Sequence, residues 1–479
     1  MAILYPAKLQ SKFPRRVVAS LVTCCLLAIL TLAGETGASA VEAKRAFSNC
    51  DSFNLQYPTG VARTELKALT ATERGFQRPQ VSKRIFDRAR RANAKLGGPR
   101  DGVLCEVPVD VSPRTEISPA EYLASVKECR LTDQTGDPVI RIGFPNSAER
   151  VKSIGSARAV VVYLDFADAR ATATTDSPES NFNRFAVGVE RFYSAMSGGQ
   201  LSFSWDVYPQ YVSMPGTLQD LDLTRSNPAP RWDLFVEEVL KQTDPFIDYT
   251  RADFLVMAIN PDAPAGLSFS PGVLGRPGIG FPTREGTLFN ATFLGSDAQR
   301  LGDDTLAHEI GHLLGLVDLY DFSGGNAWKF LGEFDFMNKT GAMSREMLGW
   351  SRWLMSWVSD DQIRCVTEAT STTHLLSPFL GAQSRPMIAI RRLSESKVLV
   401  LESKRANAYC LCTPGVFAYT VDTSVSTGQG PIRAVTRFPT VQPGMESILK
   451  VGDSISIDGV LVEIVESGDY GDVVRISGG

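Results

Sequence analysis

Two histidines and a glutamate stand together in residues 308–318, which read H-E-x-x-H-x-x-G-x-x-D. Side chains four residues apart on a helix share one face, so His308 and His312 are spaced to bind one metal ion, typically Zn2+. Glu309, between them, is the residue type that acts as general base when such a site hydrolyses an amide. The alternative is a pair of core histidines on an ordinary helix, and a glutamate at this spacing disfavours it.

The residues after His312 offer a third metal ligand. Gly315 can take the left-handed conformation that ends a helix and turns the chain back. That turn would bring Asp318 to the metal as an oxygen ligand and leave a fourth position for water. Asp321 is the alternative ligand, because the segment Asp-Leu-Tyr-Asp contains two carboxylates. His374, the third histidine of the chain, fits better as a core or surface residue of a later strand.

Together these residues predict a zinc hydrolase. Zinc held by His308, His312 and Asp318 lowers the pKa of its water towards about 7 and polarises the scissile carbonyl. Glu309 accepts the water's proton and passes it to the leaving amine. The same chemistry serves a peptide or a non-peptide amide, so both substrate classes stay open at this point.

The elements that must position these residues can also be read from the sequence. Asp303 and Asp304 are N-cap candidates for the zinc-binding helix, with Thr305 opening it. Periodicity predicts, upstream of it, strand 159–164, helix 182–196, strand 201–207, helix 232–242 and strand 254–259. Residues 260–287, rich in Gly and Pro, are predicted to be a long loop, either a wall of the cleft or a surface excursion.

The zinc-binding motif, followed by the methionine-containing segment F-D-F-M at residues 334–337, resembles the metzincin-like zinc peptidases. Residues 308–358 look like the immune inhibitor A family of secreted bacterial metallopeptidases, and weaker similarity extends over about 155–425. The resemblance implies an endopeptidase acting on proteins or peptides, with Met337 under the metal and calcium as a candidate second metal. One departure is that no tyrosine closely follows Met337, so the tyrosine that aids the transition state in some metzincins has no assigned counterpart.

Residues 1–40 are typical of a secretory signal peptide. A basic segment precedes the apolar run 17–33, and Ala38-Ser39-Ala40 is a small-residue cleavage site. An uncleaved membrane anchor is the alternative. Cleavage after Ala40 would remove four basic side chains and Glu35, taking the net charge from −4 to about −7. We therefore expect a secreted protein with no stable membrane association and no nucleic-acid partner.

Six cysteines remain after this cleavage, and in an exported chain they suggest disulfides. They are Cys50, Cys105, Cys129, Cys365, Cys410 and Cys412. Three precede the predicted catalytic domain and three follow it, so full pairing requires at least one bridge between the two groups. Cys410 and Cys412 are predicted to lie in a strand, too far apart along it to pair readily. Cys105 could instead bind zinc in a latent form, although an ordinary disulfide is favoured.

The prediction for the whole chain is an α+β fold in four parts. After the signal peptide 1–40 come an N-terminal region (41–155), a zincin-like metallopeptidase catalytic domain (156–361) and an all-β sandwich-like domain (362–479). The basic helix predicted at 81–95 is either a solvated helix face or part of an inhibitory propeptide. Asp458-Gly459 predicts a hairpin in the last domain. The rival function is a catalytically silent binding or adhesion protein that keeps the zinc site, which the intact Glu309 disfavours.

Overall fold

The computed structural model describes residues 61–63, 79–92, 103–104, 112–224, 226–227, 230–264, 268–380, 387–438 and 442–478. The predicted signal peptide, Cys50 and Cys105 lie outside these ranges. Contacts along the chain separate two units, which divide between Val111 and Ser112. Across the described ranges, no helix combines the length and apolar character needed to cross a membrane. The domain limits predicted at 155/156 and 361/362 stay predictions.

The smaller unit contains a short sheet and one helix. Its elements are β1 (Val61–Ala62), β2 (Gln80–Val81), α1 (Lys83–Ala92) and β3 (Val103–Leu104). Strand β1 is central, parallel to β2 and antiparallel to β3. Helix α1 falls within the basic helix predicted at 81–95. Its Phe86 and Ala89 are buried, so the helix is amphipathic and not a wholly solvated segment.

The larger unit starts with a five-stranded sheet flanked by helices. Its helices are α2 (Val126–Cys129), α3 (Pro178–Ser197), α4 (Leu218–Leu221), α5 (Trp232–Thr243), α6 (Ala298–Leu301), α7 (Asp303–Leu313) and α8 (Gly349–Leu354). The strands before residue 300 are β4 (Gly155–Asp165), β5 (Leu201–Ser213), β6 (Phe254–Ile259), β7 (Gly272–Leu274), β8 (Phe281–Pro282), β9 (Thr287–Leu288) and β10 (Asn290–Leu294). The sheet has the order β5-β4-β6-β10-β7.

Strand β4 shows why this sheet is buried on both faces. Val161 and Tyr163 point into the core formed with α3 and α7, whereas Val160 and Val162 point into a second core formed with α5. A parallel strand covered on both sides has a continuous apolar run, as β4 does. The first four strands of the sheet are parallel, and the outermost strand β7 is antiparallel to β10.

The predicted loop 260–287 contains more structure than expected. It includes β7, which forms the edge of the main sheet, and β8, which pairs with β9 in a separate ribbon. The expectation of a plain loop is wrong here because these strands are only two or three residues long, too short for an alternating pattern to appear in the sequence. Strand β7 packs against helix α7, which carries His308 and His312.

After residue 362 the chain is rich in β-structure, as predicted. Its strands are β11 (Ile363–Val366), β12 (Thr372–Leu376), β13 (Ile388–Arg392), β14 (Lys397–Lys404), β15 (Gly415–Asp422), β16 (Ile432–Ala434), β17 (Ser454–Ile457), β18 (Val460–Gly468) and β19 (Gly471–Gly478). They form two sheets, of order β11-β13-β14-β15-β16 and β12-β19-β18-β17, which share an apolar core. The mixture of helices and sheets confirms the α+β class. Asp458 and Gly459 have φ of 48° and 81° and join β17 to β18, as the predicted hairpin requires.

The five-stranded sheet of this region is covered on both faces. Leu399 and Leu401 of β14 point to the other β-sheet, whereas Val398 and Val400 point to the core that also contains α7 and α8. One face of the sheet is thus part of the same apolar core as helix α7. Three short 3-10 turns complete the unit: Ala120–Tyr122, Asp360–Gln362 and Met445–Ser447.

Two disulfides lie within the larger unit. Cys129 and Cys365 are joined with an S–S distance of 2.13 Å, which links α2 to β11 across the predicted catalytic domain. Cys410 and Cys412 are also paired, and our expectation that they would not pair is wrong. The segment is not a strand: Asn407 and Cys410 close a turn through backbone hydrogen bonds, and irregular structure follows it. The two cysteine Cα atoms are 5.0 Å apart, within the usual range.

Lys404 of β14 is the centre of a buried cluster of charges. Its side chain is fully buried, and its ammonium lies 3.1 Å from Glu346 Oε2 and 3.2 Å from Glu402 Oε1. Glu402 Oε2 accepts a 2.9 Å hydrogen bond from the backbone N–H of Gly349, the first residue of α8. Burial lowers the pKa of Lys404, but the two glutamates outweigh burial and raise it. The cluster therefore joins β14 to the start of α8 through the carboxyl group of Glu402.

We predict that Lys404→Met lowers the free energy of unfolding by about 3–5 kcal/mol, because it leaves two buried carboxylates without their cation. The matched control is Lys397→Met, which removes a partly exposed lysine paired with Asp458 and should change stability by less than about 1 kcal/mol. Urea unfolding of both variants measures the difference. Equal, small effects would show that the buried cluster adds nothing that the exposed pair lacks.

A second prediction concerns His374, which lies in β12 as a buried residue, with Nε2 2.8 Å from Thr372 Oγ1. Burial, with Arg364 adding to it, lowers its pKa to about 4. The unfolded chain has a histidine pKa near 6.5, so between these pH values only the unfolded state takes up the proton. Stability should fall by up to about 3 kcal/mol as pH drops through this window.

In His374→Gln, this part of the acid sensitivity should be lost. The measurement is the slope of unfolding free energy against pH from 7 to 4, compared between wild type and variant, so that any constant loss of stability cancels. Identical slopes would rule out His374 as the titrating group.

Candidate metal centre

Helix α7, which carries both histidines of the motif, lies between two glycines. Gly302, with φ of 73°, is its N-cap, and Asp303 and Asp304 lie in the first turn. The predicted N-cap at these aspartates is therefore wrong by one or two residues, although two carboxylates in the first turn still favour the helix electrostatically. At the other end Gly315 has φ of 100°, as expected. The N–H of Leu316 donates to the carbonyl of Gly311 and that of Gly315 to His312, at 3.0 and 2.8 Å.

This turn brings three of the predicted ligands together. Nε2 of His308 lies 3.1 Å from Asp318 Oδ1, and Nε2 of His312 lies 3.3 Å from the same oxygen. The ligand atoms of all three residues fall within 4.8 Å of one another. Among the residues that the structure describes, this is the one group of three or more such side chains that could hold a metal ion. Calcium binding therefore stays a prediction without assigned residues.

Backbone carbonyls orient both imidazoles. Nδ1 of His312 lies 2.8 Å from the carbonyl of Leu316, and Nδ1 of His308 lies 3.4 Å from the carbonyl of Phe336. A carbonyl can only accept, so each Nδ1 carries a hydrogen, and each imidazole, when neutral, has its lone pair at Nε2 for a metal. This is the usual arrangement around a metal-ligating histidine. The donor set of two nitrogens and one oxygen fits Zn2+, and so the residues fit the implied metal.

The electrostatics of the group favour a cation among these side chains. Burial raises the pKa of Asp318, but the two imidazoles outweigh burial and hold it well below its usual range. Burial lowers the pKa of His312, while Asp318 outweighs that effect and raises it to about 9. The Asp318 carboxylate and the His312 imidazolium thus stabilise each other's charged form. A divalent cation would supply that charge with both imidazoles neutral.

Glu309 lies on the same helix and faces the edge of the main sheet. Its Oε2 accepts a 2.5 Å hydrogen bond from the backbone N–H of Gly272 in β7. A Cβ at Gly272 would lie 3.1 Å from Cβ of His312, so the missing side chain lets β7 approach the helix closely. Burial raises the pKa of Glu309, as suits a group that must take up a proton.

Met337 lies against helix α7, and its role under a metal stays a prediction. An added Cβ at Gly311, between the two histidines, would overlap the Met337 sulfur. The turn that carries Met337 is held by Asp335, which has φ of 67°. Its carboxylate accepts hydrogen bonds from the N–H groups of Met337 and Leu348, at 2.7 and 2.8 Å. Asp335 is completely buried, and it fixes the segment whose carbonyl orients His308.

The loop that carries Asp318 is fastened by the β-rich region. The N–H of Asp318 donates to Thr427 Oγ1 at 3.1 Å, and the N–H of Gly428 donates to the carbonyl of Asp318 at 3.3 Å. Asp321, the alternative ligand, lies elsewhere: its carboxylate bonds Lys329 Nζ and Ser323 Oγ, each at 2.6 Å. The geometry therefore brings Asp318, and not Asp321, to the two histidines.

Several residues of the site were not found from the sequence. Gly272 reaches Glu309 only through sheet pairing, for which a three-residue strand leaves no pattern. Thr427 acts from more than 100 positions away. Asp335 had a usable signal, since it directly precedes the Phe-Met pair and aspartate tolerates positive φ. No counterpart of the transition-state tyrosine was assigned, although the ring of Tyr320 lies 6.5 Å from that of His308.

The chain shows only weak similarity to known proteins. No protein-family model matches the chain, and no curated protein matches it. Among solved structures, metalloproteinase-II from Bacteroides fragilis is similar over 42% of this chain at 13% identity, with a TM-score of 0.23. This chain spans about half of that protein, 54% of its length. Wild-type OgpA from Akkermansia muciniphila is similar over 68% of this chain and 92% of its own, at 12% identity and a TM-score of 0.29.

We predict that Asp318→Ala abolishes tight metal binding and that Asp321→Ala preserves it. Loss of residues that only support a ligand typically weakens metal binding by 10–100-fold, so we expect more than about 100-fold for the ligand itself. Both variants lose one carboxylate from the same loop, which makes them a matched pair. Titration with Zn2+ against a competing chelator measures the affinities. The reverse ranking would assign the oxygen ligand to Asp321.

Proposed function

We propose that this protein is a secreted zinc-dependent endopeptidase on a zincin-like fold, acting on protein or peptide substrates. The observation that carries the proposal is the convergence of His308 Nε2, His312 Nε2 and Asp318 Oδ1, with a glutamate on the same helix. A site that served only to hold structure together has no need of Glu309. This favours an enzyme over a silent binding protein.

In the proposed mechanism His308, His312 and Asp318 would hold Zn2+. The bound metal supplies a Lewis acid that lowers the pKa of water and polarises a carbonyl. Glu309 accepts the proton of the attacking water and delivers it to the leaving nitrogen. Its Oε2 is held by the amide of Gly272, so the carboxylate is oriented before substrate arrives. Asp335 and Met337 position the histidines from below.

Strand β7 supports a peptide as the substrate over a small amide. It is the outermost strand of the main sheet and touches both the general base and the metal-binding helix. An extended peptide can add to the edge of a sheet through main-chain hydrogen bonds. A substrate bound in this way would pass alongside Glu309. The exported location rests on the predicted signal peptide, and the Cys129–Cys365 disulfide is compatible with it.

The test is casein cleavage by purified residues 41–479, with wild type and Glu309→Gln compared and zinc measured in both. We expect about one zinc per chain in each protein and a loss of about 10²–10⁴-fold in cleavage rate for the variant. Glutamine keeps the size of the side chain and can still accept the Gly272 N–H. Glu463→Gln, in a partly exposed ion pair with Arg475, is the control and should remain active.

Undiminished cleavage by Glu309→Gln would remove Glu309 from the mechanism. Zinc without cleavage in wild type, even after limited proteolysis to release an inhibitory N-terminal segment, would favour the binding or adhesion protein.

A further inference from the structure

A cavity of about 570 Å³ lies beside the loop of the third ligand. Its walls come from residues 321–330 and 427–433. The volume is within the range of roughly 300–1,000 Å³ typical of ligand pockets, and it exceeds that of one side chain. None of the roles assigned above to the metal-binding and catalytic residues uses this space.

The cavity is close enough to the metal centre to receive part of the same substrate. The ring of Tyr320 lies 6.5 Å from that of His308 and 5.2 Å from that of Phe322, which lines the cavity. Thr427 both lines the cavity and bonds the backbone of Asp318. An extended chain advances about 3.3 Å per residue. A peptide cleaved at the metal therefore reaches the cavity within about three or four residues of the scissile bond.

The walls of the cavity are closely packed. An added Cβ at Gly428 would overlap the ring of Phe322, and one at Gly430 would overlap the ring of Phe330. Both glycines have positive φ, of 70° and 76°. The N–H of Phe322 also donates to the carbonyl of Gly428 at 2.9 Å. The two loops are therefore held against each other by groups that a larger residue would displace, and the cavity keeps a defined shape.

The cavity is lined by three charged side chains, those of Asp321, Lys329 and Arg433, and only two of them form an ion pair with each other. Lys329 and Asp321 form a 2.6 Å ion pair and neutralise each other. Arg433 donates from Nε and Nη2 to the carbonyls of Gly430 and Gln429, at 2.9 and 2.8 Å. Its guanidinium also lies 4.4 Å from the ring centre of Phe330. Within the described ranges no carboxylate pairs with Arg433, and the residue is exposed, so its charge is accessible to an anion while the two carbonyls orient it.

We propose that this cavity binds a carboxylate of the substrate, with Arg433 as the residue that recognises it. The inference rests on the proposed peptidase function and adds a specificity to it. A guanidinium that is held by two carbonyls and an aromatic face loses little conformational freedom on binding an anion. The carboxylate could belong to an Asp or Glu side chain near the scissile bond, or to the C-terminus of a peptide.

The test measures binding to the zinc-loaded Glu309→Gln protein, which removes the general base. Three twelve-residue peptides of Ala, Ser and Leu, each labelled with an uncharged BODIPY dye, serve as probes: one with a central Glu and an amidated C-terminus, its Gln counterpart, and the Gln peptide with a free C-terminus. We expect at least one carboxylate peptide to bind about 10-fold more tightly than the amidated Gln peptide, by fluorescence polarisation. Which of the two does so identifies the source of the carboxylate.

Arg433→Gln, added to the same protein, should abolish this preference while leaving the affinity for the amidated Gln peptide within about twofold. Arg433→Lys should retain part of it, because the charge remains without the planar fork. Arg475→Gln removes an arginine from the β-rich region outside the cavity and should keep the full preference. Equal affinities for the three peptides, or a preference that survives Arg433→Gln, would overturn the proposal.

The outcome is separable from that of the peptidase test. Casein cleavage together with equal peptide affinities would uphold the enzyme and reject the role of Arg433. Arg433-dependent binding without cleavage by wild type would uphold the carboxylate site and reject the enzyme.

Discussion

The orientation of His308 depends on a chain of hydrogen bonds that starts at a backbone carbonyl and ends in the β-rich region. Nδ1 of His308 faces the carbonyl of Phe336, and the turn around that carbonyl is held by the buried carboxylate of Asp335. The same carboxylate accepts the N–H of Leu348, just before α8. The next N–H, that of Gly349, donates to Glu402 of β14. His308 is therefore connected by a series of hydrogen bonds to strand β14, which is distant in sequence.

Asp318 is fastened to the same region by a separate route. Its N–H and carbonyl are bonded to Thr427 and Gly428, which follow β15. Both residues lie in the loop between β15 and β16. The sheet β11-β13-β14-β15-β16 to which these strands belong has one face in the apolar core of α7 and α8. The β-rich region therefore not only covers apolar surface but also positions the loop that carries Asp318. A cavity beside this loop is a consequence of the same contact, since its two walls are the two loops that meet there.

Local signals in the sequence predicted the parts of the site that depend on local geometry. The four-residue spacing of His308 and His312 fixes a shared helix face, and Gly315 adopts the left-handed turn expected of it. The sequence did not predict contacts that depend on residues distant in the chain or on very short segments. Gly272 meets Glu309 through a three-residue edge strand. The segment at Cys410 forms a turn that alternation alone does not distinguish from a strand.

The hydrogen bond between Gly272 and Glu309 gives a buried carboxylate a partner. Burial raises the pKa of Glu309, whereas the charges of His308 and His312 and, to a smaller extent, the amide of Gly272 lower it. Because Oε2 is bonded to the amide of Gly272, the edge strand β7 fixes the orientation of this carboxylate beside the candidate metal ligands.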